Sequence, residues 1–143
     1  LLLTVVFSSN ASAHVRIVDN EVGIAKNYVF TLQAPNEREE PTVNVRLVLP
    51  EGLEDIMPVE KTGWTIEVKK DASANNSKAT EIIWSKGEIG QDRLELFQFR
   101  AQVPGEETTL FWKAYQTYSD GQVVSWDQSA NQEEVEGSPS GPG

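Results

Sequence analysis

From residue 27 to residue 127 the chain alternates between apolar and polar positions. In "NYVFTLQAP", Tyr28, Phe30 and Leu32 fall on one face. In "TVNVRLVLPEG", Val43, Val45, Leu47 and Leu49 do the same, and the run stops at Pro-Glu-Gly. "GWTIEVKK" alternates Trp64, Ile66 and Val68, and "TEIIWSKGEIG" carries Ile82 and Trp84 before a turn. "LELFQFRAQVP" switches face between Leu96 and Phe97, which predicts a β-bulge. "TTLFWKAYQTYSDGQVVSW" reads as two strands joined at Ser119-Asp120-Gly121, an Asp-Gly hairpin signal. A period of two, broken at short intervals by Pro, Gly and Asp, predicts an all-β fold, an antiparallel β-sandwich with almost no helix. Nothing repeats at a fixed longer period, and "DASANNSK" (Asp71–Lys78) reads as a polar loop.

The two ends have different compositions. Leu1–Phe7, "LLLTVVF", is uncharged and apolar, too short to span a bilayer, and is followed by Ala11-Ser12-Ala13, an A-x-A cleavage pattern. Residues 1–13 are therefore expected to be the remnant of a signal peptide, which makes the chain an exported protein of the extracytoplasmic cell envelope. The sandwich is expected over residues 14–128. Residues 129–143 end in "QEEVEGSPSGPG", whose acidic and then Ser/Pro/Gly-rich composition cannot bury a core. That segment reads either as a linker to an anchor beyond this sequence or as a plain disordered tail.

The composition of the 143 residues narrows the chemistry. A formal net charge of -10 without a basic stripe argues against nucleic acid and against anionic membrane surfaces. The absence of cysteine removes disulfides, thiolate zinc sites, iron–sulfur clusters and cysteine nucleophiles together. Trp64, Trp84 and Trp112 lie within alternating runs and are expected in the core or at its rim. Trp126 ends the last strand, where an aromatic ring can cover one end of the sandwich.

The single histidine, His14, directly follows the cleavage pattern. Cutting after Ala13 makes it the first residue, and its α-amino group and Nδ1 can then chelate one metal ion in a six-membered ring. An amine and an imidazole suit copper(II), which favours tetragonal nitrogen and oxygen donors. The amine has a reference pKa near ~8, so losing its proton at neutral pH costs little. A brace of two histidines is impossible with His14 alone, and a blue-copper centre needs a cysteine. Cutting after Ala11 instead leaves Ser12-Ala13-His14, a second arrangement that binds copper(II) or nickel(II). A chance position of His14 after the cut also fits the sequence. In "PNEREEP" (Pro35–Pro41), Glu37, Glu39 and Glu40 occupy an inter-strand loop, from which one glutamate could complete a copper(II) sphere; a charged turn that aids solubility is the simpler reading for Glu39 and Glu40.

Taken together, "AHV", "TLQAPNERE-PT", "LPEG", "GWTIEV", "IIWSKGEI" and "FWKAYQTYSDGQVVSWD" resemble the YcnI-like proteins from His14 to about Asp127. That resemblance implies a cupredoxin-like or Ig-like sandwich and an exported copper-binding domain, often tethered by a C-terminal transmembrane helix. It implies copper(II) bound by the N-terminal amine and imidazole of His14, with Glu37 and Trp126 near the metal. Indole is a poor metal ligand, so Trp126 is expected to shield or orient the site. The implied partners are the copper ion and a copper transport or delivery protein of the envelope, in copper trafficking or homeostasis.

The competing expectation is a metal-free interaction module that uses "PNER" and the Asp120-Gly121 hairpin as a protein-binding face. An enzyme is the weakest expectation. The lone histidine leaves no Ser/His/Asp set, and the many glutamates give no sign of a carboxylate pair in a cleft.

Overall fold

The computed structural model describes residues 14–71 and 78–128. Residues 1–13 and 129–143, and so the expected signal remnant and linker, lie outside it, as does most of the Asp71–Lys78 loop.

Nine strands form two antiparallel sheets, and there is no helix among the described residues. One sheet has the order β1-β2-β7-β4: β1 (Arg16–Ile17), β2 (Asn27–Asn36), β7 (Arg93–Gln102) and β4 (Glu54–Pro58). The other has the order β5-β6-β3-β8-β9: β5 (Thr65–Asp71), β6 (Lys78–Ile89), β3 (Thr42–Val48), β8 (Lys113–Tyr118) and β9 (Val123–Asp127).

Alternation sends one row of each strand inward. Phe30, Leu32 and Ala34 of β2 and Phe97, Phe99 and Ala101 of β7 face Val45, Leu47, Ile82 and Trp84 of the opposite sheet. The aromatic rings interlock. Phe30 stacks on Phe99 at 5.4 Å, Trp84 meets Phe97 at 4.9 Å, and Trp112 closes on Phe30 at 5.2 Å. Full burial of each such side chain contributes roughly 1.5–3 kcal/mol. Trp84 and Trp112 are core residues as expected, and Trp64 packs against the core from the rim.

The bulge expected at Leu96–Phe97 is absent. The register of β2 on β7 runs unbroken from Asn27↔Gln102 to Asn36↔Arg93. Leu94 and Leu96 simply belong to the outward row and are 53% and 45% exposed, so the apparent change of face is two leucines facing water. The irregularity lies in β3 instead. From Thr42 to Asn44, β8 steps only from Tyr118 to Thr117, while β6 steps from Ile89 to Ser85. Thr42 is thereby buried and Val43 is displaced from the inward row where alternation put it. On β6 the extra residues include Lys86, at φ +64°.

Other differences are local. Pro35 and Asn36 extend β2, so the turn is Glu37–Pro41. The sequence gives little sign of β4, whose "EDIMP" does not alternate, carries Asp55 at φ +53° and shifts register against β7. The hairpin at Ser119-Asp120-Gly121 forms as expected. Gly121 adopts φ +93°, and Tyr118 N donates to Gln122 O at 2.9 Å.

Trp64 lies directly over the backbone of Gly87. A Cβ built there would stand 2.3 Å from the indole carbons Cδ2 and Cε2. Gly87→Ala is expected to lower stability by about 1–3 kcal/mol in denaturant unfolding followed by tryptophan fluorescence. Gly105→Ala, where a Cβ meets nothing within 4 Å, should leave the midpoint unchanged.

Candidate metal centre

His14 lies two residues before β1, the short strand at the edge of the four-stranded sheet. β1 pairs with β2 at Arg16↔Gln33 and Ile17↔Leu32, and Val18 N donates to Thr31 O just past the strand. Asp19 then stops the pairing, because its Oδ2 takes Thr31 N at 2.9 Å.

β1 is held across the open side of the sandwich by Gln128, which follows β9. Ile17 N donates to Gln128 Oε1 at 2.9 Å, and Gln128 Nε2 donates back to Ile17 O at 3.4 Å. Gln128 N is itself fixed on Trp112 O at 2.8 Å. This side chain replaces the missing strand between the two sheet edges.

That closure brings His14 to Trp126. Their ring centroids are 5.1 Å apart, with planes tilted by 35°. His14 Nε2 is buried and, among the described residues, has no hydrogen-bond partner. A buried polar atom without a partner costs roughly 1–3 kcal/mol, so the imidazole is not a satisfied core histidine.

Trp126 is held from behind. Its indole N–H donates to Gln116 Oε1 at 3.0 Å. Gln116 is fully buried, and its Nε2 donates to Pro35 O at 3.0 Å and to Thr42 Oγ1 at 2.8 Å. Neither Gln116 nor Gln128 was singled out by sequence reasoning. The signal for Gln116 was present, since alternation places it between Ala114 and Tyr118 on the buried row of β8. A polar residue on such a row needs partners. Gln128 gave no signal, because it lies beyond the periodic segment.

Glu37 heads the turn after β2, two residues past Pro35, and is exposed. Asn36 builds that turn. Its Nδ2 donates to Glu40 O at 3.1 Å and Ile89 O at 2.7 Å, and its Oδ1 accepts from Arg38 N at 3.0 Å. Ser119 N donates to Pro41 O at 2.8 Å, and the Arg38 guanidinium lies over the Tyr118 ring at 4.2 Å and donates to Gln122 Oε1. The turn and the β8–β9 hairpin thus form one face. Burial pushes the Tyr118 hydroxyl above its ordinary pKa; Arg38 opposes the shift, and Glu37 and Asp120 add to it. So of the three residues expected at the site, His14 and Trp126 are in contact, whereas Glu37 acts on Tyr118. No group of three or more His, Asp or Glu side chains gathers as a metal cage among the described residues.

A separate concavity of about 920 Å³ lies between the β1–β2 connection and the segment before β8. Ile17, Phe30 and Trp112 lie among its apolar lining residues, and Glu21, Glu106 and Glu107 among its polar ones.

Comparison with known proteins agrees with this architecture. Residues 14–142 match the family described as a domain of unknown function, DUF1775. The chain is 30% identical over 122 residues to the copper-binding protein CutI of Bacillus subtilis (strain 168); the match covers 84% of this chain and 58% of that protein. The chain therefore spans less than two thirds of that relative's length. A crystal structure of an uncharacterized protein from Nocardia farcinica, described as having an immunoglobulin-like fold, superposes with a TM-score of 0.69 at 26% identity, covering 82% of this chain and 88% of that one.

The face around Glu37 can be read by titration. Glu37→Gln removes a charge that raises the Tyr118 pKa, so tyrosinate should form at lower pH in ultraviolet absorbance titration. Arg38→Ala removes the opposing charge and should delay it. The raised pKa means that the fold favours the neutral phenol. Its contribution to stability is complete below the ordinary value of 10.0 and is lost as pH rises through the higher folded value.

Proposed function

Because the chain belongs to the DUF1775 family, the YcnI-like proteins, and resembles a relative named as copper-binding, we propose that it binds copper(II) through a brace built on His14. The observation that carries this reading is the placement of the His14 imidazole against the Trp126 ring, which brings together two of the residues expected at the site. The family match also begins at His14.

The donor set fits the ion. Cleavage after Ala13 frees the His14 amine, which closes a six-membered chelate with Nδ1 and leaves the proton on Nε2. His14 lies outside the paired residues Arg16 and Ile17, so it is less tied into the ladder than they are. Glu37, in the turn after β2, is the expected oxygen donor. Trp126 covers the imidazole rather than ligating the ion. With nitrogen and oxygen donors and no thiolate, the site suits copper(II) as cargo.

In this reading the protein is exported, works in the cell envelope in copper trafficking or homeostasis, and exchanges copper with a transport or delivery protein there. It is not an enzyme. A metal-free interaction module is the second reading. The observation in its favour is the continuous face formed by the Glu37–Pro41 turn and the Ser119–Gln122 hairpin, joined by Arg38, Tyr118 and Gln122.

Copper(II) titration and electron paramagnetic resonance on protein starting at His14, beside the same protein with one glycine added in front, separate these readings. Stoichiometric binding lost on adding glycine is the expected result. Equal binding by both proteins would overturn the brace in favour of a side-chain site. Binding by neither would favour the interaction module.

A further inference from the structure

We propose that Gln116 is the positioning residue of the His14 site: its buried carboxamide sets where the Trp126 indole stands against the imidazole. The inference rests on the copper(II) reading above and specifies how the fold prepares that site.

Gln116 lies on the inward row of β8, where a leucine or methionine would satisfy packing alone. Instead its amide is fully used. Both hydrogens of Nε2 go to oxygens, at 3.0 Å to Pro35 O and 2.8 Å to Thr42 Oγ1, and Oε1 accepts the indole N–H at 3.0 Å. The orientation has no alternative. An indole nitrogen only donates and a backbone carbonyl only accepts, so Oε1 must face Trp126 and Nε2 must face Pro35.

These partners are the elements on which the site depends. Pro35 lies on β2, the strand that pairs with β1 beside His14. Thr42 is buried by the bulge at the start of β3. Trp126 bears the ring that meets the imidazole at 5.1 Å. A single side chain therefore touches both the strand that pairs with β1 and the ring that covers His14, each on a different sheet. Trp126 is only half-buried, and packing alone leaves its ring torsions less restricted. The hydrogen bond to Gln116 holds the indole against one face of the imidazole and so restricts rotation of that ring, which keeps the in-plane lone pair of Nδ1 in one direction and predicts a single copper geometry.

The test uses the full chain starting at His14, with Gln116→Met as the variant of similar shape that lacks the amide. In metal-free protein, nuclear magnetic resonance should show the Trp126 indole N–H moving toward its solvent-exposed position. The ring-current shift of the His14 imidazole protons should diminish, with the remaining backbone signals retained. With copper(II) alone, the resonance spectrum should change from one species to a mixture, and loss of copper to a chelator should become about threefold to tenfold faster, the equivalent of one hydrogen bond. Trp126→Phe should act in the same direction, and the double variant should add little, because Gln116 acts through the indole.

Unchanged His14 and Trp126 signals in Gln116→Met, or effects that add fully in the double variant, would overturn the proposal. If Gln116→Met does not fold, Gln116→Glu with its buried carboxyl protonated keeps one O–H for Pro35 O and one oxygen for the indole N–H, and should retain the His14 shift of the parent at the same pH; its loss in the folded, protonated variant would overturn the proposal equally. Failure of the parent to bind copper would overturn the copper reading, while the metal-free spectra would still decide the role of Gln116.

Discussion

With no cysteine in the chain, the two sheets are held face to face by side-chain packing, and the layer of interlocked rings between them is the contact on which everything else depends. Phe30 stacks on Phe99 within one sheet, Phe97 of that sheet meets Trp84 of the other, and Trp112 wedges against Phe30 and Phe99 from the connection into β8. Packed sheets stand about 10 Å apart, a distance set by such side chains. His14 lies just before the edge strand of one sheet, and Trp126 lies on an edge strand of the other. Their contact therefore exists only at the spacing that the aromatic layer imposes.

Polar groups then fix what apolar packing leaves loose. A hydrophobic interface is non-directional and tolerates small slips between sheets. Two buried amides at the same end remove that freedom. Asn36 ties the end of β2 to Ile89 of β6 and to the Glu37–Pro41 turn, and Gln116 ties Pro35 to Thr42 and Trp126. The β3 irregularity cooperates by burying Thr42 where Gln116 can reach it. Directional bonds thus sit where a geometry has to be held, and the rest of the core is left to rings and aliphatic chains.

The fold was largely legible because alternation reports burial directly. The inward rows of β2, β6 and β7 and the Asp-Gly hairpin follow from it. The misread positions are those where exposure and hydrophobicity part company. Leu94 and Leu96 are apolar yet face outward, and this mimicked a bulge. Val43 is apolar in a run whose true bulge cannot be seen from one strand, because a bulge is a property of the pairing. β4 lacks alternation since much of it is exposed. At the site, His14 and Trp126 could be named from their positions beside a cleavage pattern and a strand end. Their contact could not, because it passes through Gln116 and Gln128, residues with no chemistry of their own that conventional motifs record. The position of Glu37 near Tyr118 depends on how a turn folds against a hairpin, which no local pattern encodes.

The Ile17–Gln128 bridge joins positions 111 apart in the chain, so the strand beside His14 is secured by one of the longest loop closures in the molecule. Contacts of such separation form only after the intervening chain is ordered, and a two-residue edge strand is the first element to fray. Amide hydrogen exchange should therefore be fast at β1 relative to the central strands. A ligand that needs β1 docked would suppress this opening in proportion to its concentration over its dissociation constant. Occupancy at the N-terminus would then be read out as protection at the end of β9, and release would be paced by the fraying of a single edge.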